Sequence, residues 1–253
     1  MSNKKSERQF KIRQLLQEKE RIKITDLVNY FSVTNETIRK DLLELEASKT
    51  LKKEHGYISI LERADEMPIS LRNQEYIDEK RAIMKQACTF VKEGMMVYLD
   101  AGSTCQAGII YLSNIPNITI VTNSIFVAYK CSILNMKVLL IGGTISNNAY
   151  RSYGDLATQT MDYIHIDIAI LGSKGFQNSI GFTTYKNEYL LKRHIMQQSE
   201  CLIVVADQHK FYTTEEHPYC SFKEIDILVT NQQDKDNLEI VKDIANIVKV
   251  AEE

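Results

Sequence analysis

The run Asp100-Ala101-Gly102-Ser103-Thr104 has the residue types of an anion cradle. It follows the apolar stretch Met95–Leu99 and leads into a helical segment. Glycine lets a backbone approach a ligand closely. Ser103 and Thr104 bring hydroxyls and backbone N–H groups to a helix start, where a phosphate is favoured. Ser103 equally suits ordinary helix capping, and the motif alone does not choose between the two. Lys174, in Gly172-Ser173-Lys174-Gly175, and Lys210, in Asp207-Gln208-His209-Lys210, follow two other apolar stretches and tip the balance toward phosphate. Arg151 is a further candidate cation.

Other chemistries find less support. Asp100, Asp207 and Glu188 are conceivable bases for enolisation, but nothing in the sequence poises one of them. No G-x-S-x-G elbow, P-loop or G-x-G-x-x-G occurs. The five cysteines are scattered, and the five histidines do not cluster with them. The thiols therefore read as small apolar groups in a reducing cytoplasm, and neither a metal nor a cofactor is expected.

The elements that would position these residues are short apolar runs: Met95–Leu99, Ile118–Val121, Val138–Ile141, Ile166–Leu171, Leu202–Ala206 and Ile225–Val229. Amphipathic segments separate most of them. Such alternation predicts an α/β domain with a mainly parallel sheet covered on both faces. Loops with Asp100–Thr104, Thr122–Ser124, Gly142–Thr144, Gly172–Gly175 and Asp207–Lys210 would then share the rim where ligands bind. Leu238, Val241, Ile244, Ala245 and Val248 read as a closing helix.

The first 57 residues carry a different pattern. A helix over 6–18, with Ser6 as a possible cap, precedes a short extended piece at Arg21–Ile24. Thr25 would cap a second helix ending near Phe31, and Thr34 a third with Ile38, Leu42 and Leu45 on one face. A short helix, a tight turn and a helix with polar and basic residues leading is the helix-turn-helix arrangement. Asn35, Glu36, Thr37, Arg39 and Lys40 occupy that leading end. Arg39 suits guanine, Asn35 adenine, and Thr37 and Lys40 phosphate oxygens. Each alone fits a solvated helix face equally well; together they favour double-stranded DNA. Residues 51–58 read as a hairpin wing turning at Gly56, with Lys52, Lys53 and His55 along the DNA backbone.

Charge placement agrees. Residues 1–57 hold 13 Lys and Arg against 9 Asp and Glu, although all 253 residues sum to −2. A basic head on an acidic body is the asymmetry of a protein that meets a polyanion. With 44% hydrophobic and 25% charged residues the chain is an ordinary globular one. The start MSNKKSERQF is no secretory signal, and the uncharged stretch 101–129 is too polar to cross a membrane, so a cytoplasmic protein is expected.

Arg8…Ile12…Leu15-Leu16, Leu27…Phe31-Ser32-Val33-Thr34…Thr37-Ile38-Arg39-Lys40-Asp41-Leu42…Leu45-Glu46…Leu51…His55-Gly56 resembles the winged helix-turn-helix signature of the DeoR family of bacterial transcription regulators. Tyr57 and Glu20 stand where that signature usually has glycines. The later blocks D-A-G-S-T, V-T-N-S, I-G-G-T, D-I-A-I-L-G and V-V-A-D-Q-H-K-F are similar to successive family blocks. The resemblance implies a C-terminal sensor domain related in fold to ribose-5-phosphate isomerase, with a phosphorylated sugar as effector. It places Asp100, Gly102, Ser103, Thr104, Asn123, Gly143, Lys174 and Lys210 around the ligand. Tyr185 replaces an acidic residue that many members carry three before Glu188, and Ser173-Lys174 is unusual in its loop.

The expected organisation is a winged helix-turn-helix domain over 1–60, a linker over 61–78 and an α/β effector domain over 79–253. The expected function is a repressor of a sugar catabolism operon, controlled by a phosphorylated sugar. The alternatives are a sugar-phosphate isomerase with an accessory DNA-binding head, or a DNA binder whose body only oligomerises. Specific regulators pair their heads on repeated half-sites, so a homo-oligomer is expected.

Overall fold

The computed structural model describes residues 5, 8–9, 11–12, 15–16, 19, 21–47, 51–54, 56–60, 67–146, 149–177, 180–213 and 217–250. The chain divides into two units, Met1–Pro68 and Ile69–Glu253. Ser6 and His55 lie outside the described residues, as do 61–66 of the expected linker. The rest of that stretch contains a short helix, Ile69–Arg72, in which Ile69 is buried.

In the first unit the described residues between 5 and 19 are helical. Then come β1 (Arg21–Lys23), α1 (Ile24–Phe31), α2 (Asn35–Ala47), β2 (Leu51–Glu54) and β3 (Tyr57–Ile60). The strands form an antiparallel sheet in the order β1-β3-β2. Helix α1 starts earlier than Thr25 predicts: its cap position is Lys23, without a side-chain bond. Ile24 is already buried, with its N–H bonded to the Gly56 carbonyl at 3.0 Å. Ser32, at φ 50°, ends α1 in the left-handed region, and Thr34 Oγ1 accepts the Thr37 N–H at 3.2 Å as the cap of α2. Ile12, Leu16, Leu27, Ile38, Leu42, Leu45 and Ile58 form the core. Each such side chain stabilises by about 1.5–3 kcal/mol on burial. Arg8 Nε donates to Asp41 Oδ2 at 2.5 Å, fastening the first helical residues to α2. Asp41, in the sequence run Thr37–Leu42, thus belongs to the core side of α2.

Among the described residues of the second unit, apolar runs become a sheet of seven strands, all parallel, in the order β15-β14-β12-β9-β4-β5-β6. They are β4 (Met96–Leu99), β5 (Thr119–Thr122), β6 (Lys137–Leu140), β9 (Ile166–Gly172), β12 (Ser199–Val205), β14 (Ile227–Thr230) and β15 (Asn246–Lys249). Near-continuous apolar strands must be covered on both faces, and two separate cores do so. One contains Ile83, Leu99, Ile120 and Ile170, the other Tyr98, Val121, Leu171 and Ile195. From β4 the chain steps outward to β5 and β6, then returns to β9 on the other side of β4 and proceeds to β12, β14 and β15. The order therefore reverses between β4 and β9, where open α/β sheets form a binding crevice at their carboxyl ends.

The expected closing helix does not form over its full length. Helix ends at Ile240, and Asn246–Lys249 pairs parallel with β14 as an edge strand. The sequence Asn-Ile-Val-Lys is β-branched at its centre, which suits a pleated strand better than a helix turn. Two small antiparallel elements cover the rim: β7 (Thr144–Ile145) with β8 (Ser152–Tyr153), and β10 (Phe176–Gln177) with β11 (Gly181–Thr183) and β13 (Pro218–Ser221). Edge-to-face contacts of Phe176 with Phe182 and Phe211 hold the second of these together.

Candidate functional site: a nucleic-acid face and an anion crevice

On the first unit, Thr34, Asn35, Glu36, Arg39 and Lys40 are exposed and Thr37 is half-buried. Glu36 and Lys40 form an exposed ion pair at 3.0 Å, one turn apart. Opposite this face, Ile38, Leu42 and Leu45 are buried, so the core fixes which side α2 offers. The wing turns at Gly56, whose φ of 83° favours glycine. Tyr57 then opens β3, and its ring lies 4.1 Å from the Arg21 guanidinium carbon and 5.6 Å from Lys23 Nζ. Lys53 is exposed on β2. Lys52 shares that strand, and its side chain is not among those described.

On the second unit the crevice between β4 and β9 is a cavity of about 70 Å³. Of the residues the sequence singles out, Asp100, Gly102, Ser103, Thr104, Lys174 and Lys210 line it. Arg72, Arg151, Tyr185, Glu188 and Lys192 line it too. Among the described residues, five cationic side chains thus surround two carboxylates. Both carboxylates are already engaged. Asp100 Oδ2 accepts from Lys192 Nζ at 2.7 Å and from the Gly172 N–H at 2.8 Å, and Oδ1 accepts from the Ala101 N–H. Burial pushes the Asp100 carboxyl up, but the Lys192 ammonium and these hydrogen bonds outweigh it and hold it below its ordinary value. Glu188 pairs with Arg151 and accepts from Thr184 Oγ1 at 2.8 Å. Carboxylates fixed as counter-ions are poor general bases, which is why the crevice looks receptive rather than reactive.

Tyr185 contributes a π-face where a carboxylate would cancel charge. Arg151 and Lys174 lie 5.0 and 4.5 Å from its ring centroid, so both cations are steadied without losing their charge. Gly102 has an ordinary φ of −62°, and among the described residues an added Cβ would meet only Gly172 Cα, at 3.9 Å. The protein's own packing does not demand glycine there. The first-turn amides that follow it have no acceptor within their helix.

Asn123 and Gly143 do not line this cavity. Asn123 Nδ2 donates to the Ser152 carbonyl at 2.8 Å, and its Oδ1 accepts from Tyr98 OH at 3.0 Å. A Cβ on Gly143 would lie 2.6 Å from the Tyr153 carbonyl. Both residues therefore shape the β7–β8 arm that carries Arg151. Two lining residues escape sequence reasoning for clear reasons. Lys192 stands in the stripe Leu191, Ile195, Met196, and a lysine on an apolar face was the available signal. Arg72 lies in a stretch without periodicity.

Cys88, Cys105, Cys131 and Cys220 are buried free thiols, and burial pushes Cys88 and Cys220 up to about 12 and Cys131 to about 11. They pack as apolar groups. No helix among the described residues is long and apolar enough to cross a membrane.

Residues 8–64 match the DeoR-like helix-turn-helix domain, and residues 75–232 match the DeoR C terminal sensor domain. The HTH-type transcriptional regulator GolR of Listeria innocua is 31% identical over 97% of this chain and 98% of its own. The glycerol-3-phosphate regulon repressor of Escherichia coli is 28% identical over 82% of this chain and 83% of its own. A solved ribose 5-phosphate isomerase from Methanocaldococcus jannaschii overlays 53% of each chain with a TM-score of 0.39 and 17% identity. That overlay is too loose to bear on function, and the α/β assignment rests on the parallel strand order. The chain belongs to the DeoR family: it is a transcriptional regulator rather than an enzyme, with a DNA-binding helix-turn-helix unit joined to a small-molecule sensor domain.

Proposed function

We propose that the protein is a repressor of a sugar catabolism operon, and that a phosphorylated sugar in the β4–β9 crevice controls its hold on operator DNA. The observation that carries this reading is the excess of cations around a glycine turn, five against two committed carboxylates among the described residues. Such a site favours a dianion over a neutral sugar. Ser103 and Lys210 hold the phosphoryl group, and the polar rim of Thr184 and Tyr185 meets the sugar. Helix α2 reads base edges through Asn35 and Arg39, and Thr37, Lys40 and the wing lysines meet phosphates. The domain limits that serve this division are 1–68 and 69–253, and the working form is a homo-oligomer.

Thermal unfolding with paired ligands tests the site. A sugar phosphate should raise the melting temperature of the wild-type chain, its unphosphorylated sugar should not, and Ser103→Ala and Lys210→Ala should lose the gain. Equal stabilisation by both members of every pair would remove the phosphate from the account. A reporter fused to the regulated promoter tests the sign: deleting the gene should raise transcription.

A further inference from the structure

Arg72 comes from outside the sheet and its rim loops. It ends the short helix Ile69–Arg72, which begins directly after Pro68, the last residue of the DNA-binding unit. Yet it lines the crevice together with Gly102, Ser103, Lys174 and Lys210. The residues after it are braced by one bond back to Arg72 itself and tied to the surroundings of the same crevice at two points. Lys80 Nζ donates to the Arg72 carbonyl at 2.6 Å. Asn73 Nδ2 donates to Gln106 Oε1 at 2.8 Å, and Gln106 Nε2 donates to the Ala101 carbonyl at 2.9 Å. One side chain thus links this segment to the backbone of the Asp100–Thr104 turn. The Tyr76 ring stacks on His209 at 3.7 Å, next in sequence to Lys210.

Lys80 is only 3% exposed. Its ammonium lies among Asp207 and Glu75, which favour the charge, and Lys210 and Arg72, which oppose it. A buried ammonium is costly unless it is paired and hydrogen-bonded. A well-packed apolar residue would be the cheaper way to fill that space, so the Lys80–Arg72 bond is explained by what it positions.

We propose that Arg72 is the residue through which the occupant of the crevice acts on the chain leading into the DNA-binding unit, with Asn73 and Lys80 as positioning residues that hold its backbone. This rests on the phosphosugar reading of the crevice. Arg72 lines the crevice with Arg151, Lys174 and Lys210, while the two carboxylates of the same lining, Asp100 and Glu188, are engaged by Lys192 and Arg151. A phosphoryl dianion bound there adds an attraction for Arg72, being held by the rim on one side and by the Arg72 fork on the other. Occupancy therefore favours the docked state of residues 69–80, which is the differential affinity any ligand-driven switch requires. The lysines of the rim supply affinity; Arg72 converts it into a response.

The test uses the full chain and a labelled DNA fragment from immediately upstream of its own gene. The probes are ribose 5-phosphate, fructose 1-phosphate, glucose 6-phosphate and inorganic phosphate. The readout is the ratio of DNA dissociation constants with and without a saturating probe, measured beside the probe's own affinity. In the wild type at least one probe should bind and change the DNA constant by about tenfold or more. Arg72→Gln should weaken the probe by roughly tenfold, as expected for one charge-assisted contact, and bring the ratio close to one even at saturation. Arg72→Lys should restore affinity more than ratio, because an ammonium lacks the fork. Asn73→Ala should keep most of the affinity and lose most of the ratio, a split that mere destabilisation would not produce. A wild-type ratio in saturated Arg72→Gln overturns the proposal while leaving the site reading intact. A wild-type chain that binds none of the probes overturns the site reading and this inference with it.

Discussion

Lys192 Nζ lies 2.7 Å from Asp100 Oδ2 and 2.7 Å from the Gly172 carbonyl oxygen, so one buried ammonium fastens the ends of β4 and β9 where the chain order of the sheet reverses. The side chains of Lys192 and Asp100 are 6% and 7% exposed, which leaves little water to compensate either charge if its partner is removed. Asp100→Asn or Lys192→Met should each cost about 3–5 kcal/mol in urea unfolding. The double variant should recover a large part of that loss. The folded carboxyl lies below its ordinary value, so its stabilising contribution is complete above pH about 4 and is lost as the pH falls through the lower folded value. The acid limb of the stability curve should therefore flatten in Asp100→Asn.

Gly102→Ala separates binding from folding. Neither its φ nor its neighbours require glycine. Unfolding free energy should change by less than about 1 kcal/mol, while stabilisation by a sugar phosphate disappears. A variant that is stable and still binds would show that the ligand does not approach this backbone.

Lys80 makes a prediction of opposite sign to that of Asp100. Burial lowers its ammonium to about 8 from 10.5. Below pH 8 both folded and unfolded chains carry the proton, and the wild type bears the whole cost, roughly 3 kcal/mol. Between pH 8 and 10.5 the unfolded chain binds more protons, so wild-type stability gains on rising pH. Lys80→Met should match or exceed the wild type at pH 7, and the difference should shrink toward pH 10.5. Chemical denaturation of both proteins across that range checks it.

Arg39→Ala should abolish operator preference and leave effector binding intact. A bidentate base contact is worth about 1–3 kcal/mol of discrimination. Lys40→Ala and Lys53→Ala should instead weaken all DNA alike and reduce the salt slope by roughly one each. Competition titrations with scrambled DNA at two salt concentrations distinguish these outcomes.

The inner strands of the sheet were legible because they are near-continuous apolar runs largely buried on both faces, as Ile166–Leu171 illustrates, and β6 was legible from its apolar run although Leu139 and Leu140 are exposed. The last helix was misjudged because Leu238, Val241, Ile244 and Val248 keep a helical spacing across a turn at 241–245, and only pairing with β14 selects a strand. Asp100, Ser103, Lys174 and Lys210 were readable because rim loops follow strands in sequence. Lys192 was hidden because it reaches the rim from a helix, sideways, and its partner is 92 residues away. Arg72 was hidden because neither of its neighbouring contacts, to Lys80 and through Asn73 to Gln106, leaves a periodic trace.

The most direct measurement is DNA retention by the full chain on the fragment upstream of its own gene, titrated with sugar phosphates and with the same sugars unphosphorylated. One phosphorylated sugar should shift the DNA midpoint at least about tenfold, and its unphosphorylated partner should leave it in place. A midpoint unmoved by every phosphoester, or moved equally by the neutral sugar, would contradict it.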